Sequence, residues 1–309
     1  MDATAALAHL TQQIVNALTI GSMYTLVGIG FTLFFGILGL INFAHGEVYM
    51  MGAFVGLVIF RLAGPVLPLT AVVVLMLLGA MLCCGVAGVV VERFAFKPLR
   101  RKPALIVLIT SLAVSIVIRE GIKEFFPDGA NPQRFLTPFG LKVLNVGSVI
   151  INYEALILMG LTGLLIVALY LFVSRSWIGR TMRAIAADQE AATMMGVDVD
   201  RTIRFAFFLG SALGACAGVM NGLNYGTVKF DMGWTAAIKG FTAAVIGGLG
   251  NIYGAMAGGY VLAFLEVFVV DLVPQGGRYK EVITFTILIL TLVFRPYGLL
   301  GSAAGRRAG

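Results

Sequence analysis

Charge is the scarcest commodity in this chain. Only 12% of its 309 residues are Asp, Glu, Lys or Arg, while 59% are hydrophobic. Soluble domains carry about 25% charged residues. A deficit this large, with mean hydropathy +0.97, excludes water as the solvent for most of the chain and points to a bilayer. Not one Lys or Arg precedes Arg61. A cleaved signal peptide would begin with a basic stretch, so the first apolar run is expected to be a retained span. The two histidines, His9 and His45, form no cluster. The three cysteines, Cys83, Cys84 and Cys216, lie inside apolar runs. Their spacing suits neither a disulfide framework nor a metal site, and they read as small buried hydrophobes. No G-x-x-x-x-G-K-[ST], H-E-x-x-H or G-x-S-x-G occurs, so nucleotide, zinc-protease and serine-hydrolase chemistry lack their usual carriers. The expectation is a chain that is not itself an enzyme and has no catalytic, cofactor-binding or metal site.

What is present is a succession of apolar runs near the length of about 20 residues that crosses a bilayer. They cover 14–38, 46–62, 66–91, 104–120, 150–174, 205–223, 252–272 and 281–296, with a shorter run at 238–249. The net charge of +7 is concentrated in 93–102, 175–204 and 295–307. Short loops rich in Lys and Arg face the cytoplasm, and a nucleic-acid binder would instead need one continuous basic face. Segment 92–102, "ERFAFKPLRRK", holds five basic residues against one acid. With 175–204 also inside, the two spans between them satisfy parity and leave 121–149 as the external loop. Between 204 and a cytoplasmic C-terminus the count must again be even. Three long runs fail that test, so 238–249 must cross or re-enter. The fold class expected is an all-α integral membrane protein. It would be a single transmembrane domain, 1–309, built as a polytopic bundle of about eight or nine spans with interrupted helices and a cytoplasmic helix in 175–204.

Two interruptions share a pattern. "GLINFAHGEVY" (39–49) and "GGLGNIYG" (247–254) each place Gly-x-β-branched-Tyr ahead of a Gly-rich apolar run. Transporters built from related halves put broken helices at corresponding positions beside the substrate route. Irregular backbone at membrane depth is tolerated where it lines a cavity or is buried. Asn42, His45, Glu47, Gly247, Gly248 and Gly250 are therefore the candidates for a translocation path. Structural readings stand beside these: a carboxylate at a helix start is favoured by the backbone dipole, and His45 suits a hydrogen-bonded turn. Gly210, Gly214 and Gly218, spaced by four, read as close helix packing in lipid. Glu47, Glu154, Glu266 and Lys239 are the ionisable residues within spans that an ion-coupled carrier would use. Glu154 and Glu266 fall near the ends of their runs, where interfacial solvation would accommodate them.

The stretch "RAIAADQEAATMMGVDVD" (183–200) is unlike its surroundings. No Pro or Gly falls between Arg180 and Met195, and Gly196 stands where a helix ends. One continuous helix is expected, with Ala186, Ala187, Glu190, Ala191 and Met194 on one side. That stripe of small residues is poor at burying itself and suits a groove on another protein, with Glu190 and Arg183 making charged contacts. A helix lying on the membrane surface is the structural reading of the same pattern.

Glu190-Ala191-Ala192-Thr193-Met194-Met195-Gly196 resembles the EAA-x-x-x-G loop of bacterial ABC importer permeases. It lacks the I-x-L-P ending of the longer motif, since Ala206-Phe207-Phe208-Leu209 follows without proline. The stretches 39–54, 92–100, 179–201, 239–259 and 294–301 resemble the branched-chain amino acid ABC importer permease, specifically its H-type (LivH-like) subunit. The resemblance implies that 183–196 is a coupling helix docking on a cytoplasmic ATPase. It further implies a second, M-type permease, two ATP-binding subunits and a periplasmic amino-acid-binding protein as partners in a bacterial inner membrane. The implied cargo is Leu, Ile or Val. Permeases for urea and short amides are built very similarly, and an ion-coupled carrier or a structural membrane subunit are the readings from other classes.

Overall fold

The computed structural model describes residues 3–100, 102–135, 143–146 and 149–301. The basic residues expected near the C-terminus beyond 301, and part of the 121–149 loop, lie outside that set. The chain begins with α1, Ala3–Leu38, a helix of 36 residues. At 1.5 Å per residue it is about 54 Å long, more than the bilayer core requires. Its threonines and serines cost little because Thr19 and Ser22 donate to the carbonyls of Val15 and Leu18 one turn back. After Gly39, at φ +65°, residues 39–43 are non-helical, and α2 follows as Ala44–Ala63. Next come α3 (Leu69–Val91), which continues through a π turn at Glu92–Phe96, and α4 (Ala104–Phe125).

Short strands β1 (Gln133–Arg134), β2 (Val143–Val146) and β3 (Val149–Asn152) lead into α5 (Tyr153–Arg175). Then α6 (Trp177–Ala187), α7 (Gln189–Met194) and α8 (Val199–Tyr225) follow, with β4 at Thr227–Val228. The chain closes with α9 (Met232–Gly247), α10 (Ile252–Leu272) and α11 (Lys280–Phe294).

Among the described residues seven helices are long and apolar enough to cross a membrane. The expected eight or nine are reached by counting two shorter helices as well. The difference lies in α9, of 16 residues, and α11, of 15, which rise only about 22–24 Å against a core of about 30 Å. The run read as 238–249 belongs to a helix beginning at Met232, and α9 is largely buried against its neighbours.

The lipid-facing surface is visible along α3. Val74, Leu78, Leu82, Val86 and Val90 repeat every four residues and are each about half exposed, whereas Val72, Met76, Ala80 and Cys84 on the other face are buried. Cys84 and Cys216 are indeed buried, but Cys83 is exposed on the outer face.

The core is built on α8, which is packed by α1, α2 and α3. Its three spaced glycines do what their pattern foretold: Gly210 faces the Phe34 ring, Gly214 the His45 ring, and Gly218 the Tyr49 carbonyl. With no hydrophobic drive between helices in lipid, such close backbone approach supplies the packing. Gly218→Val would push a side chain into the Tyr49 carbonyl of α2. Folded chain in the membrane, read by size-exclusion of a fluorescent fusion, is expected to fall to background.

The basic segments meet at one end of the bundle. Arg100 donates to Asp200 at 2.6 Å and Lys97 pairs with Asp200 at 2.5 Å, so 92–102 and the start of α8 share a face, as parity required. Residues 297–301 join the same end: Leu299 and Leu300 donate to the last carbonyls of α9, Ile246 and Gly247, at 2.7 and 2.9 Å. At the opposite end β1 pairs with β4 and β2 with β3, and Gln12 of α1 accepts from the Ile150 amide at 2.9 Å.

Candidate functional site: the coupling segment and the buried charge network

The exposed segment begins at Ser176, whose hydroxyl accepts from the Gly179 amide at 2.9 Å and starts α6. Gly179, Met182 and Ile185 anchor one face of α6 inside the protein. The continuous helix expected over 180–195 is in fact two. Asp188 takes extended backbone (φ −161°, ψ 111°) and its carboxylate accepts from the Ala191 amide, so it caps α7 at the point where α6 stops. A helix cap needs neither Pro nor Gly, which is why the break left no mark in the pattern.

At the far end, Gly196 adopts φ +82°. Its amide donates to Thr193 and the Val197 amide to Ala192, each at 3.0 Å. That pair of bonds is a Schellman ending, for which a residue without Cβ is favoured.

The residues singled out for docking are brought together at the surface. Ala186, Ala187, Glu190, Ala191, Met194 and Gly196 are all exposed, Met194 by 89%. Ala192, which drew no attention in the sequence, is the buried anchor of α7 at 5% exposure. Arg183 has a different duty: its guanidinium donates to the carbonyls of Val173 and Ser174, capping the end of α5. Between α6 and the start of α8 lies a groove of about 820 Å³, lined by Ile178, Ala184, Met195, Val197 and Phe205 among others. Met195 in its lining is exposed, as is Met194 beside it in sequence, and such side chains give an adaptable apolar surface.

Behind this segment sits a charged clamp. Glu92, fully buried, pairs with Arg100, which reaches on to Asp200 in the first turn of α8. It ties the end of α3 to α8, the helix that follows α7. Arg100→Ala would leave Glu92 buried and unpaired, a loss of about 3–5 kcal/mol. Chain abundance and thermal stability in detergent are expected to drop, and Glu92→Gln added to Arg100→Ala should recover part of both.

The translocation candidates fall in two separate places. Asn42, His45 and Glu47 gather where α2 begins. The Asn42 side chain accepts from the Ala44 amide at 3.0 Å, and Ser115 donates to Glu47 at 3.2 Å. His45 is wholly buried, edge-on to Phe31 and Phe34 at 5.1 Å each. Its ring lies against Gly30 and Gly214, so the turn hydrogen bond expected of it is not made among the described residues. Gly247, Gly248 and Gly250 form the tight α9–α10 connection, with φ +109° at Gly248 and +87° at Gly250. There Asn251 caps α10 and donates to the Leu300 carbonyl at 2.8 Å.

Sequence reasoning named Glu266 and Lys239 separately and did not pair them. Lys239 of α9 and Glu266 of α10 are 4% and 1% exposed, and Lys239 Nζ lies 2.6 Å from Glu266 Oε1. Tyr24 of α1 donates to the other Glu266 oxygen at 2.6 Å, and Lys239 also reaches Tyr24 Oη at 3.1 Å. Glu281, at 3.4 Å from Lys239, and Lys280, at 3.6 Å from Glu266, extend the network to α11. Interfacial solvation therefore does not describe Glu266; a partner on another helix does.

A multi-pass helical bundle with an exposed, capped helix pair at one end has the form of a transport permease. Residues 13–292 match the family model of the permease component of branched-chain amino acid transport systems. The chain is 39% identical over 298 residues to the high-affinity branched-chain amino acid transport system permease protein BraD of Pseudomonas aeruginosa, covering 95% of this chain and 96% of that one. It is 36% identical over 302 residues to the corresponding protein LivH of Escherichia coli, again over 95% and 96% of the two chains. A more distant relative, the fructose import permease protein FruG of Bifidobacterium longum, is 26% identical over 264 residues, 83% of this chain and 74% of its own. The chain belongs to the family of branched-chain amino acid transport permeases. Proteins of this kind are membrane components of transport systems and not enzymes in themselves.

Proposed function

We propose that this chain is the H-type permease subunit of an ABC importer in a bacterial inner membrane, carrying leucine, isoleucine and valine inward. The observation that carries the reading is the α6–α7 pair, which exposes Ala186, Ala187, Glu190, Ala191 and Met194 beside an apolar groove. One of two cytoplasmic ATP-binding subunits would engage it, and the other would engage an M-type partner permease. A periplasmic binding protein would deliver the amino acid to the end where β1 and β4 pair. By the positive-inside rule the end holding Arg100, α6–α7 and residues 297–301 is cytoplasmic, and the chain is one permease domain.

Closure of the ATPases would move α7, and the Glu92–Arg100–Asp200 clamp would pass that motion into α3 and α8. The start of α2, where Asn42, His45 and Glu47 sit, and the Gly247–Gly250 turn are segments the motion would rearrange. A buried Lys–Glu pair would also suit an ion-coupled carrier. The exposed coupling segment and the family favour the ATP-driven reading. Uptake of radiolabelled leucine by proteoliposomes holding the complete complex tests it: uptake should need both internal ATP and loaded binding protein. Uptake driven by a proton or sodium gradient alone would overturn it.

A further inference from the structure

We infer that the cavity between α1, α8, α9 and α11 is a binding site for a zwitterionic amino acid with an aliphatic side chain, its carboxylate meeting Lys239 and its ammonium meeting Glu281. The inference rests on the importer reading for its cargo and adds where, and by which residues, that cargo is held.

The cavity measures about 420 Å³, within the roughly 300–1,000 Å³ usual for small-molecule sites. One wall is apolar: Ile20, Met23 and Val27 from α1 face Met232 and Ala236 from α9. Tyr24 and Lys239 carry the buried network to its lining, and Lys280, Glu281, Lys229 and Asp231 complete its polar side. Tyr49 joins the lining from α2, two residues beyond Glu47.

The charge balance selects the ligand. Lys229, Lys239 and Lys280 are offset by Asp231, Glu281 and Glu266, the last lying behind Lys239. A zwitterion leaves that balance at zero. A net acid or net base would leave one charge without a counterpart at membrane depth, where unpaired charge is costly. A sugar would offer Lys239 and Glu281 no opposite charges to exchange for their mutual contact at 3.4 Å. An aliphatic side chain fits the apolar wall, whereas a polar one would be stripped of water there without a partner.

Two substitutions in the complete complex test this. Thr235 lines the cavity and is exposed, so Thr235→Trp fills the space from its rim. Glu281→Gln removes the proposed ammonium partner, a side chain that is half exposed, with little threat to folding. In proteoliposomes with leucine-loaded binding protein, each variant is expected to lower leucine uptake at least about tenfold. ATP hydrolysis stimulated by the loaded binding protein should stay within about twofold of wild type, because the coupling segment is untouched. Wild-type leucine uptake with both variants also moving leucine at wild-type rates, at equal abundance, would overturn the site. A wild-type complex that moves no leucine would instead overturn the cargo reading, so the two claims fail separately.

Discussion

Glu190→Lys is expected to abolish leucine uptake while the chain still inserts and accumulates at wild-type abundance. Glu190 is exposed and lies in the first turn of α7. Reversing a charge there costs the helix about 0.3–1 kcal/mol through its dipole, too little to unfold a bundle whose core lies elsewhere. At a docking surface the scale differs, because a reversed charge facing a partner costs roughly 2–5 kcal/mol. At a factor of ten per 1.4 kcal/mol, that weakens association by about 30-fold to several thousand-fold. ATP-dependent uptake measured beside immunoblot abundance separates the two costs. Normal uptake at normal abundance would mean that α7 is only a surface helix.

The second large effect is expected at the buried ion pair. Lys239→Met leaves Glu266, 1% exposed, without its 2.6 Å partner. Breaking one side of a buried pair costs about 3–5 kcal/mol. Lys280, 3.6 Å from Glu266, can recover only part of that. Thermal stability of the detergent-solubilised chain should fall sharply. Replacing both residues, Lys239→Met with Glu266→Met, should restore it, since an apolar pair of similar volume is often as stable as a buried ion pair. Transport should not return with stability, because the carboxylate-binding charge has gone from the cavity. A stable single variant would show that the pair contributes little to folding. A double variant transporting at the wild-type rate would show that the charge has no part in transport.

Hydropathy was enough to place nearly every long helix, because a lipid-facing stripe such as Val74, Leu78, Leu82, Val86 and Val90 has no other use. Charge bias brought 92–102 and the start of α8 to one end, and Arg100 bonded to Asp200 bears that out. The exposed face of 186–196 was legible too, since small residues without a bulky apolar stripe have little to bury.

Three things were not legible, each for a physical reason. The break at Asp188 is made by a side-chain cap between two stretches that are both helical in character. The start of α9 at Met232 was hidden because Trp234 and Thr235 dilute the apolar run there. The Lys239–Glu266 pair joins residues 27 apart on different helices, and no local pattern records which helices touch. The same holds for His45, whose aromatic surroundings come from Phe31 and Phe34 across a chain reversal.

The claim on which the rest depends is that α6–α7 is the handle by which an ATPase moves this bundle. The most direct measurement is co-purification from gently solubilised native membranes, with the bound proteins identified by mass spectrometry, for wild type and Glu190→Lys in parallel. Wild type should bring down ATP-binding subunits and a second permease, and Glu190→Lys should keep the permease while losing the ATPases. Equal recovery of the ATPases by both, or recovery of the wild-type chain without any ATPase, would contradict the account.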